Sequence, residues 1–285
     1  MGRPAALVAQ GVSARGPRAP IYSVAAAAGA PLPCRLMDVR SAMRELEISG
    51  TDRNRKVYRR HGMPEPLFGV SFAVLGEMKK RIRVDHDLAL ALWATGNADA
   101  RNLATMIADP TRLDRDALDA WARESCWYGQ ADQLAGLAVR SRAAGEIRAR
   151  WLRSDHEWTA RAGWSIVAHE ALHSDEQPDA AFEGYLAAIE KSIHSAPNRV
   201  RDAMLHALIA IGSRSDALAE RSLAAARRIG PVAVDHGETG CSTPDPLADV
   251  PKARDHRRRR ESRIGPKSAL PMPAPSLPRR PSRPR

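Results

Sequence analysis

Aromatic residues make up only 5% of the 285-residue chain, whereas hydrophobic residues reach 44%. Ala, Leu and Val therefore supply most of the apolar mass, a mix that suits helices better than strands, which favour β-branched and aromatic residues. Alternating strand patterns are missing apart from a short stretch at Val232–Val234. Cysteine is sparse as well. Cys34, Cys126 and Cys241 are odd in number and widely spaced, which excludes a disulfide scaffold and a cysteine-rich zinc module. Free thiols point to a reducing compartment, so a cytoplasmic location is expected. No apolar run approaches the roughly 20 residues that a membrane helix needs, so no transmembrane segment is expected. Neither a G-x-G-x-x-G nor a phosphate-loop motif occurs, and no nucleotide cofactor is indicated.

Positive charge is abundant, but it is concentrated at the ends. The formal net charge is +11. Residues 1–36 hold Arg3, Arg15, Arg18 and Arg35 with no acid, and residues 253–285 hold eleven Lys/Arg against Asp255 and Glu261. The middle, 37–252, is slightly acidic, so any nucleic-acid argument must rest on local patches rather than on the whole-chain charge. Residues 1–36 show no periodic apolar face and are expected to be a disordered extension. Their stretch Pro4–Ala14 weakly imitates a signal-peptide apolar region, and Met37 is an alternative start. The Arg/Pro-rich tail 253–285 is expected to be disordered, either a solvated tail or a DNA-binding arm.

Between the tails the periodicity is helical throughout. Asp38 caps a helix ending near Gly50, a second spans Arg53–His61, and Ser71 opens a third to about Arg83. Asp85 caps a helix that Gly96 ends, and Asn97 caps one that Pro110 terminates. Further helices fit Asp116–Arg123, Trp127–Val139, Ala144–Leu152, His156–Leu172, Asp179–Ile193, Asn198–Ile211 and Asp216–Arg228. Arg101, Arg161 and Arg201 open similar apolar stripes 60 and then 40 residues apart, with a unit at Trp127–Val139 filling the larger gap. Paired helices at such a period point to an all-α, HEAT-like solenoid over 37–252 rather than an ordinary bundle. Each inner helix would present its cap and Arg to a concave binding face.

Several segments carry a family likeness. LALALWATGNADARNLATMIADP (88–110), SDHEWTARAGWSIVAH (154–169) and IHSAPNRVRDAMLHALIAIG (193–212), in that order and spacing, resemble the AlkD-like DNA alkylation repair proteins, HEAT-repeat DNA glycosylases. VYRRHGMPEPLFGVSF (57–72) and VDHGETGCSTPD (234–245) are similar to a bacterial branch of the same family. The resemblance implies excision of cationic N3- and N7-alkylpurines from duplex DNA held in the solenoid cleft, without base flipping. An alkylpurinium is already a good leaving group. What the site must provide is negative charge and an electron-rich ring near the deoxyribose as it becomes oxocarbenium-like. The partner implied is double-stranded DNA with alkylated bases, and the chain is expected to be a nucleoid-associated monomer with no cofactor and no metal.

The family pattern of an aromatic, three residues, then a catalytic Asp falls on Tyr128 and Asp132, which share a helix face. Trp127, one position early, either lines the cleft or packs in the core. Without the resemblance, Asp132 reads more readily as a partner in an ion pair or a helix–helix hydrogen bond. Arg161, on one face with Trp158, matches a family Arg against the DNA backbone, and Tyr58 matches a tyrosine that reaches the DNA. Arg59, Arg148, Arg199 and Arg201 extend a possible basic stripe. The catalytic type carries a Trp and an Arg where this chain has His206 and Ile209, a departure that bears directly on base excision and leaves a non-enzymatic HEAT-like module binding DNA structure or a protein partner as the alternative. His206 is retained as a candidate DNA contact.

Two rival motifs remain. HEALH (169–173) satisfies the zinc-protease pattern, with Glu170 as base and Glu183 or Glu190 as a third ligand, but no substrate-binding strand lies beside it. DHGETGC (235–241) gathers Asp, His, Glu and Cys around two glycines and reads chiefly as a hydrogen-bonded cap over the last repeat.

Overall fold

The computed structural model describes residues 37–174 and 177–264. The extension 1–36 and the tail from 265 onward, both expected to be disordered, lie outside the described residues. The described chain contains thirteen helices and no strand. They are α1 (Val39–Ser49), α2 (Asp52–Arg60), α3 (Phe72–Ile82), α4 (His86–Ala94), α5 (Ala98–Ile107), α6 (Arg115–Glu124), α7 (Tyr128–Ala138), α8 (Ala144–Trp151), α9 (Glu157–His173), α10 (Asp179–Ser192), α11 (Asn198–Gly212), α12 (Asp216–Ile229) and α13 (Pro246–Ile264).

Local signals set most of the helix starts. Asp38, Thr51, Ser71, Asp85, Asn97, Asp114 and Ser215 each accept the backbone N–H three residues on. Such caps satisfy donors that the first turn cannot pair internally. At the end of α4 the chain turns through Gly96 at φ 71°, a conformation that favours glycine.

Packing then sorts the helices into two layers. α3, α5, α7, α9 and α11 follow one another side by side, while α4, α6, α8 and α10 each lie against the next inner helix. This is the expected HEAT-like pairing, and α7 is the unit that fills the gap between Arg101 and Arg161. α9 is apolar on two sides. Ala162 and Ile166 join a core shared with α1 and α3 through α8, whereas Ala160, Trp164, Val167 and Ala171 join a second core with α10 through α13. Trp93 and Trp164 are buried, as their sequence setting suggests. α8 crosses α9 at Gly163, where an added Cβ would sit 2.8 Å from the Leu152 backbone nitrogen. A Gly163→Ala variant should lose about 1–3 kcal/mol to overpacking, read as a fall of several degrees in melting temperature.

Three expectations change. Helix α13 runs to Ile264, so the folded part continues past Lys252 and residues 253–264 are helical rather than a disordered tail. Arg254 explains the extension, because its guanidinium donates to the carbonyls of Ser213 and Arg214 at the end of α11 and pairs with Asp216. Val232–Val234 forms no strand; Val232 and Val234 pack against the second core instead. The repeat arginines do not stand open on an inner face. Arg101 donates to Glu124 and to the Trp93 carbonyl, and Arg161 is buried.

Candidate functional site

Because α7, α9 and α11 lie side by side, residues in their first three turns converge on one cavity of about 280 Å³. Tyr128 and Asp132 come from α7, Arg161 from α9, and Arg199, Asp202 and His206 from α11. His61, just beyond α2, and the segment 236–244 complete the lining.

Asp132 is held on three sides. Arg161 donates from Nε at 3.0 Å and from Nη2 at 2.8 Å, one bond to each carboxylate oxygen, and the Ser165 hydroxyl donates at 2.7 Å. The same guanidinium turns Nη1 to Asp202 at 2.7 Å and to the Arg199 carbonyl at 3.0 Å. The Asp132 side chain stays 40% exposed, whereas that of Arg161 is 5% exposed. Two carboxylates thus share one guanidinium, and Arg199 on the same cavity balances the second formal charge. Burial pulls the Arg161 guanidinium down, but Asp132 and Asp202 more than offset it and hold it above its ordinary value.

Tyr128 is half-buried. Its hydroxyl shares a 2.7 Å hydrogen bond with His61 Nδ1, and the Arg161 and Arg199 guanidinium carbons each lie 5.3 Å from its ring centroid. Burial pushes the phenol above its ordinary pKa, so it remains protonated at neutral pH. His206 is 55% exposed, with Nε2 3.7 Å from Asp202. Above these groups, Asn198 pins the 235–244 segment through both its amide atoms to the backbone of Asp235. His236, Thr239, Cys241, Ser242 and Pro244 then close one side of the cavity. The DHGETGC cap therefore belongs to the site.

Five expected residues meet here: Tyr128, Asp132, Arg161, Arg199 and His206. In this structure the Arg161 guanidinium is buried and engaged by Asp132, Asp202 and a carbonyl, an arrangement that orients Asp132. Trp127 takes the core alternative, buried with Met63, Leu67 and Ala98. The remaining candidates lie outside this cavity. Trp158 is half-buried against the first core, and Tyr58 is half-buried with its hydroxyl donating to the Val70 carbonyl. Arg59 pairs with Glu65, and Arg148 with the buried Glu170. Arg201 is half-buried, and its Nε has no hydrogen-bond partner among the described residues.

The pairing with Arg148 also removes Glu170 from the HEALH reading, since it cannot serve as a base beside His169 and His173. Glu183 and Glu190 pair with Arg221 and Arg228. Among the described residues no three His, Cys, Asp or Glu side chains converge as metal ligands. The reading from sequence missed His61, Ser165 and Asp202. Asp202 carried a signal, because it lies three residues after Arg199 and four before His206 and so shares their helix face.

Comparison with known proteins agrees with this architecture. The profile of a family described as DNA alkylation repair enzymes matches residues 42–237, more than half of the chain. The uncharacterized protein Lin0241 of Listeria innocua is 28% identical over 220 residues, spanning 74% of this chain and 95% of that protein. The uncharacterized protein Lmo0209 of Listeria monocytogenes is 28% identical over 223 residues, 75% and 96% of the two chains. A solved structure, described as a new family of proteins related to the HEAT-like repeat DNA glycosylases with affinity for branched DNA structures, superposes with a TM-score of 0.72. It is 28% identical and covers 78% of this chain and 96% of its own.

Proposed function

The chain belongs to the DNA alkylation repair enzyme family, and on that premise we propose that it excises cationic N3- and N7-alkylpurines from duplex DNA, with Asp132 acting on the deoxyribose. The observation that carries this reading is a partly exposed carboxylate on the cavity wall, clamped by Arg161 and Ser165.

An alkylated purine leaves when the C1′–N bond breaks and its electron pair moves onto the positively charged ring. The base departs neutral and needs no general acid. Positive charge shifts to C1′ and the ring oxygen of the sugar, where the Asp132 carboxylate stabilises it. Water then adds at C1′ and loses a proton. Holding Asp132 in place in advance matters because no reorganisation is then needed as the charge develops. Arg199, on the cavity wall and with no acidic group paired to its guanidinium among the described residues, takes the phosphate-contact role that the resemblance gives to Arg161. Tyr128 is the one large aromatic side chain among the described lining residues, which favours recognition of the sugar and backbone over a base sandwiched between rings.

The test is release of free 7-methylguanine from an alkylated duplex by the purified protein. Wild type should release it, and Asp132→Asn should cut the rate on the order of 100-fold or more, the scale seen when a positioned electrostatic group is lost. Absence of release above background overturns the reading.

A second reading has its own support. His206 is an imidazole where the catalytic type carries a Trp, and Ile209, where that type carries an Arg, packs against the second core. The solved relative is described by its affinity for branched DNA. Binding of a branched substrate in preference to plain duplex, with no base release, would assign this chain to structure-specific DNA binding instead.

A further inference from the structure

Helix α13 begins beyond the family match at residue 237 and is strongly basic, with seven Lys/Arg against three acids. Its charges are divided between two faces. Arg254 reaches the carbonyl end of α11, and Arg257 donates to the carbonyl of Ala171 near the end of α9. Arg254 and Arg258 both pair with Asp216. These contacts fasten one side of the helix to the body, where Val250 is fully buried. Successive residues turn by about 100°, so Lys252, His256, Arg259, Arg260 and Arg263 fall together within roughly a third of the circumference. All five are exposed. Lys252 pairs with Asp249, but no acidic side chain pairs with Arg259, Arg260 or Arg263 among the described residues.

We propose that this stripe is a second DNA-contact surface, which grips the phosphate backbone away from the lesion site. The stripe repels itself, since Arg259 and Arg263 are four residues apart and Arg260 and Arg263 three apart. A polyanion relieves that repulsion and releases counterions in doing so. Reach supports the assignment. α11 spans 15 residues, about 22 Å, from Arg199 at the cavity to the carbonyls that anchor Arg254. At 3.4 Å per base pair that is about six base pairs, so DNA that is centred on the cavity and runs toward this end of α11 meets Arg259, Arg260 and Arg263 only when it extends further than that to one side.

The inference rests on the reading that the chain binds DNA, and the experiment separates the two. Full-length wild type and the triple variant R259Q/R260Q/R263Q are titrated with a hairpin duplex of about 8 base pairs and a duplex of about 30. Salt is varied throughout, and thermal melting checks the fold. The expected result is wild-type affinity on the short duplex and a loss on the order of tenfold to a hundredfold on the long one, with the salt slope lowered by about 2.7. An unchanged long-duplex affinity, or an equal loss on both lengths, overturns the proposal while DNA binding stands. A wild type that binds neither duplex removes the DNA reading together with it.

Discussion

An Arg161→Met variant is expected to lose about 3–5 kcal/mol of stability, the range for removing one partner of a buried charge cluster. Methionine preserves much of the side-chain length while removing every donor. Asp202, only 9% exposed, would then face the second carboxylate with no cation between them, and the Arg199 carbonyl would lose its donor. Thermal denaturation checks the size of the effect. The mechanism is checked by adding Asp202→Asn to Arg161→Met. If orphaned charge is the cause, the double variant should be less damaged than the sum of the single ones, and a strictly additive result would rule that cause out. Base release should also fall in Arg161→Met, because Asp132 keeps only Ser165 to orient it.

Replacing Asp99 with Ala should be comparably severe, about 3 kcal/mol or more, although it lies outside the cavity. Asp99 is fully buried at the start of α5 and accepts three consecutive backbone N–H groups, from Phe68 at 2.6 Å, Gly69 at 3.0 Å and Val70 at 3.0 Å. Burial raises its carboxyl above the ordinary range, although those three bonds act in the other direction. Each N–H left without a partner in a buried place costs about 1–3 kcal/mol. The strand of loop that Asp99 holds includes Gly69 at φ 81°, packed so closely on Arg55 and Thr51 that a Cβ would lie 2.6 Å from backbone atoms. Val70 in turn accepts the Tyr58 hydroxyl. Losing Asp99 should therefore loosen α2, and with it the His61 contact to Tyr128. Hydrogen exchange of amides 57–70 would report this, and unchanged protection there would refute the coupling.

Most of the helices were legible in the sequence because their signals are local. A cap and the apolar periodicity after it lie within one or two turns, and twelve helices follow from such patterns. α13 was not legible. Its Pro246, Pro251 and dense positive charge resemble a segment that cannot fold, and what holds it is a set of carbonyls at the ends of α9 and α11 contributed by distant sequence. The pairing of Tyr128 with Asp132 was readable for the same reason as the caps, since four residues on a helix make neighbours. The role of Arg161 was not. Spacing shows which face an arginine occupies, but not that Asp132 and Asp202, 70 residues apart, would lie on either side of it.

The amino-acid order by itself determined the all-α class, the repeat of paired helices, the family likeness and the candidate carboxylate, since each depends on contacts within a few residues. Only the tertiary structure decided which charges are spent inside the protein and which remain for a ligand. That division follows from which helix ends are brought side by side: it buried Arg161 between two acids, left Asp132 half open to the cavity, and turned Arg259, Arg260 and Arg263 outward on α13.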